Sequence, residues 1–129
     1  MKSVIVTDKA PAAIGPYSQA IAVNGMLYTS GQLPVDPATG TMSGSIEEQT
    51  EQSMKNIMAI LEEAGLGAKN IVKTTVFIKN MQEFSKMNGV YEKFFQEGYP
   101  ARSCVEVARL PKDALVEIEA VAVLDINLK

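Results

Sequence analysis

Alternating apolar and polar positions predict short strands in the N-terminal part of the chain. Apolar residues recur in residues 4–6, 19–23 and 26–30. Asn24 and Gly25 separate the second and third segments, and an Asn-Gly pair readily adopts the positive φ values of a type I′ turn. The pattern therefore predicts one short strand followed by a β-hairpin.

Helical periodicity begins after residues 32–44, a loop rich in proline and glycine that is a candidate to line a binding site. Ser45 and Glu48 have the spacing of a capping box, and Gly65 supplies a C-terminal stop. The predicted inner face of this first helix comprises Ile46, Ser53, Ile57, Ile60, Leu61 and Ala64.

A second strand and helix follow. Residues 71–78 are rich in β-branched and aromatic side chains, which predicts a strand buried near the centre of a sheet. Asn80 and Glu83 repeat the capping spacing, and Gly98 and Pro100 end the helix. Its predicted apolar stripe comprises Phe84, Met87, Val90, Tyr91, Phe94 and Phe95.

Two further alternating segments, residues 102–107 and 115–124, predict terminal strands joined by a turn that contains Pro111. The order β-β-β-α-β-α-β-β predicts a single α+β domain with both helices on one face of the sheet. The last strand is apolar on both faces, so the second sheet face needs a cover. A second copy of the chain is the simplest cover, and clefts would then form between subunits.

Composition narrows the function classes. The chain of 129 residues has no segment with the apolar length of a membrane span and no signal-peptide pattern, which predicts a cytoplasmic protein without a membrane partner. Its single cysteine excludes an internal disulfide. The net charge is −3 and the 12 basic residues are dispersed, which argues against nucleic acid as a partner.

The absence of histidine excludes Ser-His-Asp and Cys-His arrangements and histidine-ligated metal sites. One cysteine cannot form a thiolate metal site, and no glycine-rich phosphate loop is present. We therefore expect neither metal nor cofactor. The chemistry that remains belongs to Arg, Glu, Tyr, Ser and the backbone.

Arg102 and Glu117 lie inside the two terminal strands, where they could face one pocket. A guanidinium is planar and matches a carboxylate bidentately, so Arg102 is a candidate anchor for an acid substrate. The alternative is an ion pair of Arg102 with Glu117 or Glu119 across a hairpin, which the pattern alone favours slightly. Glu119 shares a face with Glu117, and Glu106 shares one with Arg102, so alternation does not identify the acid.

Five segments in order resemble the reactive intermediate deaminase A family, also called RidA or YjgF-type. They are residues 12–20 (AAIGPYSQA), 29–32 (TSGQ), 73–77 (KTTVF), 87–91 (MNGVY) and 100–107 (PARSCVEV) continued by 117–120 (EIEA). The resemblance covers residues 1–129 as one domain. It implies a chorismate-mutase-like fold, a homotrimer packed through its sheets, and cofactor-free sites between subunits.

The resemblance also implies an activity, the hydrolysis of 2-iminobutanoate and 2-iminopropanoate to 2-oxo acids and ammonia. Arg102 matches the family's carboxylate-binding arginine, assisted by the backbone amides of Gly31 and Cys104. Glu117 matches the acid that orients and deprotonates a water molecule. Because a thiol without a histidine base usually behaves as a small buried hydrophobe, the backbone of Cys104 is expected to matter more than its sulfur.

Tyr17, Ser30 and Asn88 match family residues that line the pocket and position the imine, and Tyr17 is grouped with the catalytic residues. Each also has a structural interpretation: a packing tyrosine, a strand-end hydroxyl and a surface amide. Two other functions stay open. One is a 2-oxo acid-binding regulator or chaperone-like protein, and the other is an RNA-cleaving inhibitor of translation, against which the composition argues.

Overall fold

The computed structural model describes residues 1–124; residues 125–129, the end of the predicted domain, lie outside the described range. Two helices and six strands follow the predicted order, which confirms the α+β class. The strands are β1 (Ser3–Ile5), β2 (Ala20–Val23), β3 (Met26–Thr29), β4 (Ile71–Ile78), β5 (Ala101–Glu106) and β6 (Val116–Val123), and the helices are α1 (Ile46–Glu63) and α2 (Phe84–Tyr91).

The six strands form one mixed sheet in the order β1-β2-β3-β6-β4-β5, in which only β4 and β5 are parallel. The connection from β4 through α2 to β5 is a βαβ unit, which requires parallel strands. β6 then lies between β3 and β4, so its backbone forms hydrogen bonds to a strand on each side. The expected hairpin of β5 and β6 is therefore wrong, and so is an ion pair of Arg102 with Glu117 or Glu119 across it.

Local signals in the sequence explain where the elements begin and end. Asn24 and Gly25 have φ values of 50° and 78°, as the predicted hairpin turn requires. Ser45 Oγ accepts a hydrogen bond from the backbone N–H of Glu48 at 3.1 Å, and Gly65 follows α1 with a φ of 77°. α2 is shorter than its predicted stripe and continues as a 3-10 turn at Glu92–Phe94.

Both helices cover one face of the sheet and form the core with it. Fully buried side chains on α1, α2 and the strands include Leu27, Met54, Ile57, Ile60, Leu61, Val76, Ile78, Met87, Val116 and Ile118. Burying each such side chain contributes about 1.5–3 kcal/mol. Within the described residues, neither helix has the length and apolar character to cross a membrane.

The opposite face of the sheet is open within residues 1–124. Tyr28 is 47% exposed and Val105 is 44% exposed on this face, and Val121 and Val123 are partly exposed. Residues that are paired across neighbouring strands point to the same face, and Tyr28 pairs with Val121. Apolar side chains therefore lie on both faces of the sheet, as the alternation in the last strand predicted.

Candidate functional site

Glu117 lies near the start of β6 and points away from the helices. It pairs with Phe77 of β4, whose neighbours Val76 and Ile78 face the core. Its carboxylate lines a cleft of about 700 Å³, called the Glu117 cleft below. The cleft is lined by Pro11, Ala12, Ile14, Tyr17, Ser30, Gly31, Gln32, Leu33, Val35, Pro37, Gly40, Pro111, Lys112 and Glu117. Five residues of the loop 32–44 thus line this candidate site.

Gly31 approaches the Glu117 carboxylate so closely that no side chain fits between them. A Cβ atom on Gly31 would lie 2.8 Å from Cδ of Glu117 and closer still to Oε2. A backbone bridge fixes this approach, since Gln32 N–H donates to the Ile118 carbonyl at 2.7 Å and Ile118 N–H donates back at 3.2 Å. A side chain at position 31 would therefore displace the Glu117 carboxylate from this position.

Ser30 lines the same cleft as a hydrogen-bond acceptor. Its backbone N–H donates to the Gln19 carbonyl at 2.9 Å, and its hydroxyl donates to the Ser18 carbonyl at 2.5 Å. A serine hydroxyl carries one hydrogen, so the lone pairs of Oγ are left for a ligand. Tyr17 lines the cleft with a side chain that is 52% exposed, which is not the environment of a core packing residue.

The electrostatics of the cleft favour a basic carboxylate. Burial raises the pKa of Glu117, and the neighbouring carboxylate of Glu119 raises it further. The other two candidate acids lie elsewhere. Glu119 does not line the cleft, and the Glu106 carboxylate accepts a hydrogen bond from Met81 N–H at 2.8 Å. A carboxylate with a raised pKa is a stronger base once it is ionised, as general-base catalysis requires.

Arg102 lies on the other face of the sheet. It pairs with Thr74 of β4, which pairs in turn with Ala120 of β6, and both partners are buried under the helices. Its neighbour Cys104 is partly buried on the same face. Burial raises the pKa of the Cys104 thiol and outweighs the positive charge of Arg102, which lowers it. The thiol therefore stays protonated at neutral pH.

The guanidinium of Arg102 is held by α2. Its central carbon lies 4.9 Å from the ring centroid of Tyr91 and 5.4 Å from that of Phe84, and Nη1 donates to Asn88 Oδ1 at 2.7 Å. Within residues 1–124 it forms no salt bridge. With Asn88, Tyr91, Glu92, Tyr99 and Pro100 it lines a cleft of about 450 Å³, called the Arg102 edge below.

The predicted site residues therefore form two groups. Tyr17, Ser30 and Gly31 lie with Glu117, whereas Asn88 and Cys104 lie with Arg102. The expectation that Arg102 and Glu117 face one pocket is not met within one chain, because the two side chains lie on opposite faces of the sheet. Alternation along each strand could not show this, since the relative face of two strands depends on their pairing.

Sequence reasoning missed Lys112, the cation that shares the Glu117 cleft. Lys112 and Asp113 adopt left-handed backbone conformations with φ values of 57° and 55°. Arg109 fixes this turn through two hydrogen bonds to the Asp113 carboxylate, at 2.7 and 3.1 Å. The spacing of Arg109 and Asp113 around Pro111 was the available signal. Strain of this kind often occurs at functional sites.

Comparisons with known proteins identify the family and the fold. Residues 7–124 match the family described as Endoribonuclease L-PSP. A Salmonella typhimurium protein named 2-iminobutanoate/2-iminopropanoate deaminase is 54% identical over 126 residues, which cover 95% of this chain and 98% of that protein.

Two solved structures from E. coli have the same fold. The YjgF gene product superposes with a TM-score of 0.93 at 52% identity, covering 95% of this chain and 99% of the other. TdcF with bound serine superposes with a TM-score of 0.91 at 48% identity, covering 94% and 98%. The predicted resemblance is confirmed, and the chain belongs to the RidA (YjgF-type) family, which is also described as Endoribonuclease L-PSP.

Proposed function

We propose that this protein is a cofactor-free deaminase that hydrolyses 2-imino acids, with 2-iminobutanoate and 2-iminopropanoate as substrates, to 2-oxo acids and ammonia. The observation that carries the proposal is the Glu117 carboxylate, which has a raised pKa and lies against Gly31 in one cleft with Ser30. The relative named as a deaminase supports this activity. The TdcF structure supports a ligand that carries a carboxylate and a nitrogen on one carbon.

The reaction needs one water molecule and a base that moves protons three times. The carbon of a protonated imine is electrophilic, so water adds to it while Glu117 takes one of the water protons, and a carbinolamine forms. Glu117 returns this proton to the nitrogen. As the C–N bond breaks and ammonia leaves, Glu117 takes the proton of the hydroxyl, which becomes the carbonyl of the 2-oxo acid, and the proton leaves with the ammonia as ammonium. Ser30 Oγ accepts a hydrogen bond from the imine N–H, since its own hydrogen is donated to Ser18.

Arg102 binds the substrate carboxylate through the N–H groups that Asn88 does not use. The cation–π contacts with Tyr91 and Phe84 and the bond to Asn88 hold the guanidinium, and its remaining N–H groups are left for bidentate recognition. Because Arg102 and Glu117 lie on opposite faces in one chain, the complete site is proposed to form in a homotrimer, where the Arg102 edge of one subunit closes the Glu117 cleft of the next. The open, partly apolar sheet face supports this assembly.

A mixing experiment tests the shared site. Arg102→Ala and Glu117→Gln trimers are each expected to be inactive, but subunits exchanged between them should regain activity. In a ring of three, every mixed trimer contains one interface, out of three, that has both natural residues. About three quarters of the trimers are mixed after random exchange of equal amounts, so about a quarter of the wild-type activity should return. The readout is ammonia release from an imine generated in the assay.

Two controls complete the mixing experiment. Light scattering should give three times the 13.9 kDa chain mass for each variant and for the mixture. Exchange between either variant and an Arg102→Ala, Glu117→Gln double variant should restore nothing. Exchanged trimers that stay inactive would show that the two residues do not combine across subunits.

Cys104 provides a further prediction. Its thiol is kept protonated by burial, so Cys104→Ala should retain most of the imine hydrolysis, within about threefold of wild type. Incubation with EDTA should also leave the rate unchanged, since the proposed mechanism uses no metal. Loss of turnover in either measurement would contradict the proposed chemistry.

RNA cleavage is the second candidate, favoured by the family's description as an endoribonuclease. RNA binding by this route requires a cationic surface, whereas the net charge is −3. Within the described part of the chain, Lys112 is the single basic residue that lines the Glu117 cleft. We expect no salt-sensitive RNA affinity. Binding of 2-oxobutanoate without ammonia release would instead identify a regulator.

A further inference from the structure

We propose that Asn56, a buried residue of α1 outside the Glu117 cleft, is a positioning residue. It sets the distance between the Glu117 carboxylate and one wall of the cleft, residues 31–35, called the cleft wall below. This inference rests on the proposed function. Asn56 does not line the cleft, but its side chain bonds directly to two residues that do.

Every N–H of the Asn56 amide is committed to the cleft wall. Asn56 is 1% exposed, and its Nδ2 donates to the carbonyls of Leu33 and Val35, both at 3.0 Å. Its Oδ1 accepts a hydrogen bond from Gln52 Nε2 at 2.9 Å, which fixes the orientation of the amide. Removing Asn56 would leave two carbonyls of the wall without these partners, and such a loss is costly in a buried setting.

The wall connects Asn56 to the Glu117 carboxylate within a few residues. One end of the segment 31–35 is fixed to β6 by the backbone bridge of Gln32 and Ile118, next to Glu117. The other end is fixed to α1 by Asn56. Pro34 lies between the two residues bonded to Asn56 and has no N–H, so it offers the segment no further backbone donor. The position of Gly31 against the carboxylate therefore depends on both attachments.

Two buried glutamines hold segments that lead into other parts of the cleft lining. Gln49 donates from Nε2 to the Ser43 carbonyl and accepts from Leu115 N–H, both at 2.7 Å, just before Glu117. Gln19 accepts from Thr7 N–H at 2.7 Å and donates to the Pro11 carbonyl at 2.8 Å. Carboxamides suit this task because one side chain donates and accepts at once. Among residues 1–124, Asn56 is the one helix residue whose side chain bonds to two residues that line the cleft.

Asn70 offers a matched control at the opposite end of β6 from Glu117. It is 4% exposed, donates from Nδ2 to the Val123 carbonyl at 2.9 Å and accepts from Gly67 N–H at 3.0 Å. It lies away from the Glu117 cleft and does not line it. Asn56→Leu and Asn70→Leu both remove buried hydrogen bonds at similar volume, so both should lower the melting temperature.

Only Asn56→Leu should change catalysis by the folded trimer. We expect its kcat/KM for imine hydrolysis to fall by about tenfold or more, mainly through kcat, because a displaced wall misplaces the water and the carboxylate. The acid limb of its pH-rate profile should move to lower pH as water enters the cleft and Glu117 becomes less buried. Asn70→Leu should keep kcat/KM within about twofold of wild type.

Two further measurements keep the inference testable. If Asn56→Leu does not fold, Asn56→Ser, which keeps one donor, should show the same effects at smaller size. If wild-type protein binds 2-oxobutanoate but does not hydrolyse imines, the proposed function fails. In that case, weaker binding of 2-oxobutanoate by the Asn56 variant than by Asn70→Leu would still support a positioning role for Asn56. Folded Asn56 variants with wild-type kcat/KM, pH profile and binding would overturn it.

Discussion

Replacing Glu117 with glutamine is expected to lower imine hydrolysis by roughly two or more orders of magnitude, the usual scale for loss of a general base. Glutamine has nearly the same shape but cannot accept a proton from water. The proposed trimer and the binding of 2-oxobutanoate should persist, because the amide still fits against Gly31. Measuring turnover and binding on one preparation separates the two effects.

Glu119→Gln is the matched control for this variant, since the two carboxylates share a face of β6. It should keep near-normal turnover, because Glu119 does not line the cleft. It should also move the acid limb of the rate profile to lower pH, because its charge contributes to the raised pKa of Glu117. Normal turnover in Glu117→Gln would remove Glu117 from the mechanism.

The pH dependence of stability follows from the same carboxylate. Its pKa in the folded state is raised, so the folded protein binds a proton more tightly than the unfolded chain. Glu117 therefore favours folding at acidic pH, and this contribution is lost as the pH rises from the unfolded pKa through the folded one. At neutral pH, Glu117→Gln should have a melting temperature equal to or above that of wild type.

Replacing Arg102 with lysine is expected to raise KM for the imino acid almost as much as Arg102→Ala does, by roughly two orders of magnitude. An ammonium keeps the charge but loses the planar fork that grips a carboxylate. It also cannot make the contacts with the Tyr91 and Phe84 rings together with the bond to Asn88. Steady-state kinetics with 2-iminobutanoate, generated in the assay, would measure the change.

Lys112→Met is the informative comparison for this second prediction. Lys112 is the cation that shares the Glu117 cleft within one chain, so it is the rival anchor for the substrate carboxylate. We expect Lys112→Met to change KM by less than about fivefold. A large rise in KM for Lys112→Met, with little change for Arg102→Lys, would move the anchor to Lys112 and make a site within one chain sufficient.

Much of the fold could be predicted from the sequence because its signals are local. Asn24 and Gly25 specify a turn by their own backbone preferences, and Ser45 specifies a helix start through a partner three residues away. The order of strands in the sheet is not local. Nothing in the alternation of residues 115–124 shows that this segment pairs with β3 and β4, so the predicted hairpin of the last two strands was wrong.

The candidate site also depends partly on local signals and partly on contacts between distant segments. The family resemblance indicated Gly31, but the reason for a glycine, its close approach to Glu117, follows only from the pairing of Gln32 with Ile118. Lys112 was missed because lysine is not typical of a left-handed turn. The positions of Asn56 and Arg102 depend on contacts between distant segments, which a single sequence does not specify.

The place of β6 in the sheet also has a consequence for synthesis on the ribosome. Before residues 116–123 emerge, the strands β1-β2-β3 and β4-β5 can only form two separate sheets, and β3 and β4 have unpaired edges. The strand that joins the two sheets is also the strand that carries Glu117. A nascent chain that stops short of β6 therefore lacks both the proposed catalytic acid and the protection of its edges, so an incomplete product is exposed to aggregation and proteolysis.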